Sequence, residues 1–315
     1  MQFKTYLTAA CVVVATLTAC EKKAADNVVT IQDDKVFPES ITSTKAGDLI
    51  IASQGKGGVY RAKAGTDKAT LWIDPAKTGI SVLLGVFAHD ASNTLYACSL
   101  APRVEGQPRQ TEKNALHTFD LTTGEAKTVY PMPDAETAVC NDIDVAADGT
   151  AYITDTGNAQ ILSLKPGATA LESWVKDERL AGVDGIAIND SVMYVNSVAA
   201  NRGFSIAMGA DGAVGDIPEL KPSMPLARPD GMRSLGGNKF LMTENAAEVG
   251  RVTEVTVNGD AAEIRVLKVD PGVTAITKIG DKVWVANAKQ AYMGNGPMKD
   301  KSPEPFTIYA IPASK

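Results

Sequence analysis

Apolar and polar residues alternate in short runs along most of this chain, and the alternation recurs. It is clearest from Asn141 to Asp155, where Ile143 and Val145 alternate with acids, Asp148-Gly149 offers a turn, and Ala151-Tyr152-Ile153-Thr154 forms a second run. Period-two alternation on both sides of an Asp-Gly pair predicts two antiparallel strands joined by a tight hairpin. The same line returns as Glu39-Ser40-Ile41 with Leu49-Ile50-Ile51, as Gly85-Val86-Phe87 with Leu95-Tyr96-Ala97, and as Asp184-Gly185-Ile186 with Met193-Tyr194-Val195. It appears twice more, as Asp230-Gly231-Met232 with Phe240-Leu241-Met242 and as Thr274-Ala275-Ile276 with Val283-Trp284-Val285. Subtracting successive starts at 39, 85, 141, 184, 230 and 274 gives intervals of 46, 56, 43, 46 and 44 residues. Each interval suits one four-stranded blade, and six repeats predict an all-β, six-bladed β-propeller over residues 28–315.

Third strands are expected near 58–61, 116–119, 160–163, 204–207, 251–254 and 306–309. Fourth strands are expected near 69–72, 126–129, 172–175, 217–220 and 263–266. The sixth repeat has no fourth run after Tyr309. Val28-Val29-Thr30-Ile31 is expected to fill that place, closing the ring and covering edges that would otherwise stay unpaired.

The first 19 residues fall outside this pattern. Lys4 precedes an apolar run from Leu7 to Leu17 that is too short to span a bilayer and reads as an export signal. Leu17-Thr18-Ala19-Cys20 resembles the lipobox of bacterial lipoproteins, which implies cleavage before Cys20, lipidation of that cysteine, and a tether over 20–27; an ordinary signal peptide is the alternative. Several acyl chains on one cysteine anchor far better than one. Glu21 after the cysteine resembles outer-membrane lipoproteins, so the expected place is extracytoplasmic, on the periplasmic side of the outer membrane. Losing residues 1–19 removes Lys4 alone among the charges, so 31 basic and 37 acidic groups become 30 and 37. That balance gives no footprint for nucleic acid. The expected partners are a small-molecule substrate and, through the anchor, a membrane.

Cys98 and Cys140 are the two cysteines left in the predicted fold, one ending a second strand and the other beginning the next first strand. Those ends can meet between neighbouring blades. A disulfide closing the 42-residue interval (140−98) and a pair of free buried thiols are both open readings.

In a propeller the innermost strand of each blade lines the central channel, so the first residues of the repeats should ring one mouth. They are Glu39, Gly85, Asn141, Asp184, Asp230 and Thr274. Three carboxylates and an amide converging there would be costly without a cation. All the donors are oxygens, which suits a hard divalent ion, calcium first, with magnesium or manganese as alternatives. The competing reading is that Asp184-Gly185 and Asp230-Gly231 merely turn the chain into a strand.

Pro38-Glu39-Ser40, Asn141-Asp142, Asp184-Gly185 and Pro229-Asp230-Gly231 resemble the gluconolactonase and regucalcin family of six-bladed propellers, over essentially the whole length after the signal. The resemblance implies Glu39, Asp184 and Asp230 as metal ligands, Asn141 as a ligand or substrate contact, and Asp230 also as general base. It implies a metal-dependent hydrolase of a lactone or related ester. The chain departs from the family pattern twice: Asp184 stands where asparagine is usual, and Val139 where a substrate-binding arginine is frequent. Propellers resembling strictosidine synthase share similar repeats.

Two long connections, 100–116 and 287–306, are expected over the mouth, bringing Arg103, Arg109, Lys289, Tyr292 and Lys299 towards it. Arg103 and Arg109 are the candidate substrate contacts, although loop cations are more often only solvated. With only His89 and His117 in the chain, neither well placed, a serine-histidine-aspartate triad is not expected. A single Asp155-Thr156-Gly157 gives no aspartate pair. The reading from a different class is a non-catalytic extracytoplasmic propeller that binds a ligand or protein.

Overall fold

The computed structural model describes residues 27–102, 110–209, 211–294 and 296–314. Each repeat forms one antiparallel sheet, its strands following one another outward in chain order. Blade 1 comprises Pro38–Ser43, Leu49–Ser53, Val59–Ala62 and Lys68–Ile73; blade 2 comprises Leu83–His89, Thr94–Ser99, Ala115–Asp120 and Ala126–Pro131. Blade 3 comprises Cys140–Val145, Ala151–Asp155, Gln160–Leu164 and Glu172–Lys176, and blade 4 comprises Val183–Asn189, Val192–Ser197 and Arg202–Ala207. Blade 5 comprises Pro229–Gly236, Lys239–Glu244, Arg251–Asn258 and Ala261–Val269. Blade 6 takes Val273–Ile279, Lys282–Asn287 and Thr307–Pro312 from the far end of the chain, and Val28–Ile31 from its near end.

Val28–Ile31 closes the ring. It runs antiparallel to Thr307–Pro312, with Val28 opposite Tyr309 and Thr30 opposite Thr307. On its other edge Thr30 and Ile31 pair in parallel with Lys68 and Ala69 of blade 1. One short strand thus joins the first and last blades.

The core is divided among the interfaces between blades. Ile50, Leu83, Val86 and Phe119 pack between blades 1 and 2, and Leu116, Ile143 and Ile153 between blades 2 and 3. Phe37, Trp284 and Phe306 belong to the seam between blades 6 and 1. Inner strands are sandwiched on both faces, so Leu-Ile-Ile-Ala-Ser of Leu49–Ser53 is buried throughout. The outer strand Ala126–Pro131 faces solvent and is largely exposed. Fully burying one such apolar side chain stabilises the fold by roughly 1.5–3 kcal/mol.

Blade 4 departs from the expected pattern. In place of a fourth strand over 217–220, Phe204 pairs singly with Glu219, supported by Ser205 N–H to Pro218 O and Leu220 N–H to Gly203 O. Pro218 has no N–H to continue the ladder. The chain moves on to blade 5, where Lys221 and Pro222 pair in parallel with Ala261 and Ala262.

Cys98 and Cys140 form a disulfide between the second strand of blade 2 and the first strand of blade 3, with Cα atoms 5.1 Å apart. Among the described residues no helix is long and apolar enough to cross a membrane. Residues 1–19, and Cys20 with its expected lipid, lie outside the described residues.

Candidate metal and catalytic site

Every innermost strand shifts register close to its start. The shifts fall between Pro38 and Ser40, Leu83 and Val86, Cys140 and Ile143, Val183 and Ile186, Pro229 and Met232, and Val273 and Ala275. They enclose Glu39, Gly85, Asn141, Asp184, Asp230 and Thr274, the first residue of each repeat. A β-bulge bends its strand and re-aims a side chain. Six equivalent bulges direct six equivalent positions to one place, and all six line a single small cavity at the channel mouth.

The glycines after two of the aspartates serve this convergence and not a turn. A Cβ on Gly185 would stand 2.2 Å from the carbonyl oxygen of Asp230, and one on Gly231 would stand 2.6 Å from that of Thr274. Adjacent innermost strands come too close there for any side chain. Second-strand residues fasten each bulge to the next. Thr154 Oγ1 accepts from Asp142 N–H and donates to the Asp184 carbonyl at 2.6 Å. In the next blade Asn196 accepts from Gly185 N–H and donates to the Asp230 carbonyl at 2.6 Å.

Burial raises the Glu39 carboxyl well above the ordinary range, and the nearby charges of Asp184 and Asp142 raise it further, against partial relief from Arg233. Asp184 is pushed up by burial, then by Asp230 and Asp142, with Asn141 hydrogen-bonded to it in opposition. Asp230 is pushed up by burial, then by Glu39 and Asp142; Gly231 N–H and the Asn245 amide donate to it and oppose the shift. Thr274 Oγ1 is buried in the same cavity without a hydrogen-bond partner. The space is about 10 Å³, room for one water-sized particle.

These observations fit a single hard cation in donor type, charge and size. Among the described residues, however, no three His, Cys, Asp or Glu side chains already stand as a metal-ligand group. The ring is a set of converging donors short of a closed coordination sphere.

Arg233 is the main feature that sequence reasoning missed. It lies on the innermost strand of blade 5, is 8% exposed, and lines the same cavity. Nη1 donates to both Asp142 oxygens and to the Met232 carbonyl, while Nη2 donates to the carbonyls of Ile41 and Val86. One guanidinium thereby ties blade 5 to blades 1, 2 and 3. The available signal was a lone cation at an inward position of a first strand. Deeper on the blade 3 strand, burial pushes Asp144 up to about 7, against hydrogen bonds from Ile188 and Val145 N–H.

Arg228, two residues before Asp230, is a second omission. It is exposed, its backbone is left-handed (φ 53°), and its Nε donates to Asn245 Oδ1 at 2.9 Å.

Arg103 and Arg109 lie outside the described residues. Lys289, Tyr292 and Lys299 do not line the ring cavity, and Tyr292 packs instead against the blade 6 to blade 1 core. His89 bonds Ser92, and His117 bonds Ser99 while stacking on Phe119; neither lines the cavity. A larger hollow of about 510 Å³ opens between blades 1 and 6, lined by the hairpin residues Ala46, Gly47 and Lys282 and by Trp284. It has no comparable convergence of acids.

Comparison with solved structures places this architecture. A gluconolactonase from Xanthomonas campestris superposes with a TM-score of 0.66 at 15% identity, over 92% of each chain. The fold is that of the gluconolactonase and regucalcin propellers. A calcium-binding regucalcin from Agrobacterium tumefaciens matches this propeller with a TM-score of 0.62 at 14% identity, over 91% of this chain and 95% of the other. Virginiamycin B lyase from Staphylococcus aureus shares the architecture at a TM-score of 0.58 and 15% identity, over 91% and 98% of the two chains. No family model matches the propeller's sequence, and no curated protein matches it by sequence.

Proposed function

We propose that this protein is a metal-dependent hydrolase of a lactone or related ester, with its active site at the ring of bulges. The observation that carries the reading is the convergence of Glu39, Asn141, Asp184 and Asp230 from four blades on one ion-sized cavity. Those four residues would hold a divalent cation, calcium first by the chemistry of the donors, with magnesium or manganese as alternatives. When bound, such an ion supplies Lewis-acid polarisation of the ester carbonyl. The gluconolactonase and regucalcin likenesses support the same reading.

The chain's own residues have distinct tasks in it. Asp230 takes the proton from the attacking water. The Asn245 amide and Gly231 N–H fix its orientation. Asn141 donates to Asp184 and to Thr156 Oγ1, which holds its amide at the mouth for a ligand or substrate oxygen. Arg103 and Arg109 are proposed substrate contacts from the connection that carries them. The proposal includes export and lipidation at Cys20. Asn27 lies seven residues further (27−20), and its carbonyl accepts from Ala310 N–H towards the hairpin end of blade 6.

The test is hydrolysis of sugar and aliphatic lactones by metal-free protein and by protein given calcium, magnesium or manganese. Metal-dependent turnover that Asp230→Asn abolishes while calcium still binds is the expected result. A folded, calcium-binding protein that turns over none of the panel would favour a binding propeller instead.

A further inference from the structure

The repeats supply an internal comparison for Arg228. In blades 1 and 5 the chain enters the mouth by the same device, a left-handed residue, then proline, then a ring carboxylate: Phe37-Pro38-Glu39 and Arg228-Pro229-Asp230. Phe37 has φ 45° and Arg228 φ 53°. Each carbonyl accepts from the residue just after the second strand, Gln54 N–H to Phe37 O at 3.1 Å and Asn245 N–H to Arg228 O at 2.9 Å. A residue before proline is already restricted, and a non-glycine at positive φ is held there by its surroundings.

The side chains part company. Phe37 is 9% exposed and packs edge-on against Phe306, as a residue serving only the fold would. Arg228 stays in solvent. Its N–H donates to Asn201 Oδ1 at 2.6 Å, from blade 4, and its Nε donates to Asn245 Oδ1. Asn245 in turn donates to Asp230 Oδ2. The Arg228 backbone is therefore held by blade 4, and its guanidinium is connected through one amide of blade 5 to the ring. Among the described residues its two Nη groups have no hydrogen-bond or ion-pair partner, so they remain to receive an anion. Its charge is also felt at Asp184 on the neighbouring blade.

We propose that Arg228 is the specificity-determining cation of the mouth, and that the ligand taken there carries an anionic oxygen group, a carboxylate or a phosphate, beside the group offered to the ring. This names a substrate class for the hydrolase reading and rests on it. A guanidinium with two free N–H edges matches either anion in a bidentate manner.

Calorimetric titration in the presence of calcium tests it, with gluconate, glucose 6-phosphate and glucose as probes, and with calcium binding measured separately. Wild-type protein is expected to prefer an anionic probe over glucose, and the preferred one distinguishes carboxylate from phosphate. Arg228→Gln should weaken that probe on the order of tenfold while leaving glucose and calcium unchanged. Arg228→Lys should retain part of the preference. Equal binding of all three probes by wild type, or undiminished anion binding by Arg228→Gln, overturns the assignment. If calcium binds in that case, the metal site stands without it. An anion preference that depends on Arg228 in a protein taking up no calcium upholds Arg228 and overturns the metal reading.

Discussion

Arg233 Nη1 stands 2.9 Å from Oδ1 and 3.0 Å from Oδ2 of Asp142, in a pair that solvent barely reaches. Among the described residues Arg233 is the one cation lining the ring cavity, beside acids from four blades. Removing one member of a buried pair leaves the other charge uncompensated, at a cost of roughly 3–5 kcal/mol. Arg233→Met should lower stability by about that much in urea unfolding. Arg233→Met with Asp142→Asn should recover part of the loss, and no recovery would mean that the contacts to Ile41 and Val86 carry the effect.

Calcium and pH should act on stability together. The folded carboxyls of Glu39, Asp184 and Asp230 are raised. Their contribution is therefore fully present below the unfolded carboxylate range and is lost as pH rises through the folded values. Metal-free protein should melt lower at pH 8 than at pH 5, provided that these three groups dominate. Calcium at a hundredfold excess over its dissociation constant should add about 2.7 kcal/mol, more at pH 8 than at pH 5 because the ligands must shed protons. Thermal melts with chelator and with calcium read both effects.

His117 should titrate in the opposite sense. Burial lowers it from 6.5 to about 4. The neutral ring is favoured in the fold, so its contribution is complete above pH 6.5 and is lost as pH falls towards 4. The full loss is about 3 kcal/mol at most, since a shift of one pKa unit corresponds to about 1.4 kcal/mol. The stability difference between wild type and His117→Asn should shrink across that interval. A difference independent of pH would remove His117 from the acid response.

The Cys98–Cys140 disulfide closes a 42-residue interval. On the chain-entropy account, its removal as Cys98→Ser with Cys140→Ser should cost about 4 kcal/mol. Denaturant unfolding of the double variant, compared with reduced wild type, measures it. Reduced wild type isolates the crosslink, and the double variant should be less stable still, because it places two hydroxyls at fully buried positions of an apolar cluster.

Glu39, Asn141, Asp184 and Asp230 were legible in the sequence because each opens a repeat, and a repeat places its first residue at the same mouth. The bulges that aim them were not, since a register shift depends on the partner strand. Arg233 was hidden for a related reason: its acceptors are Ile41, Val86 and Asp142, far away in sequence and adjacent only once the ring has closed. Arg228 has no signal of its own in the sequence, and only the matching geometry of Phe37 singles it out. Blade 4 lacks its expected outer strand because Pro218, inside the run from Ile217 to Leu220, has no N–H for the ladder.

The pairing of Val28 with Tyr309 also has a consequence in time. The two partners stand 281 residues apart (309−28), so the last blade cannot be completed until the rest of the ring is in place. Until then a partly folded ring holds sheet with both flanks open, vulnerable to sticking to its neighbours. Chaperone dependence should therefore end abruptly, with the arrival of the final strand.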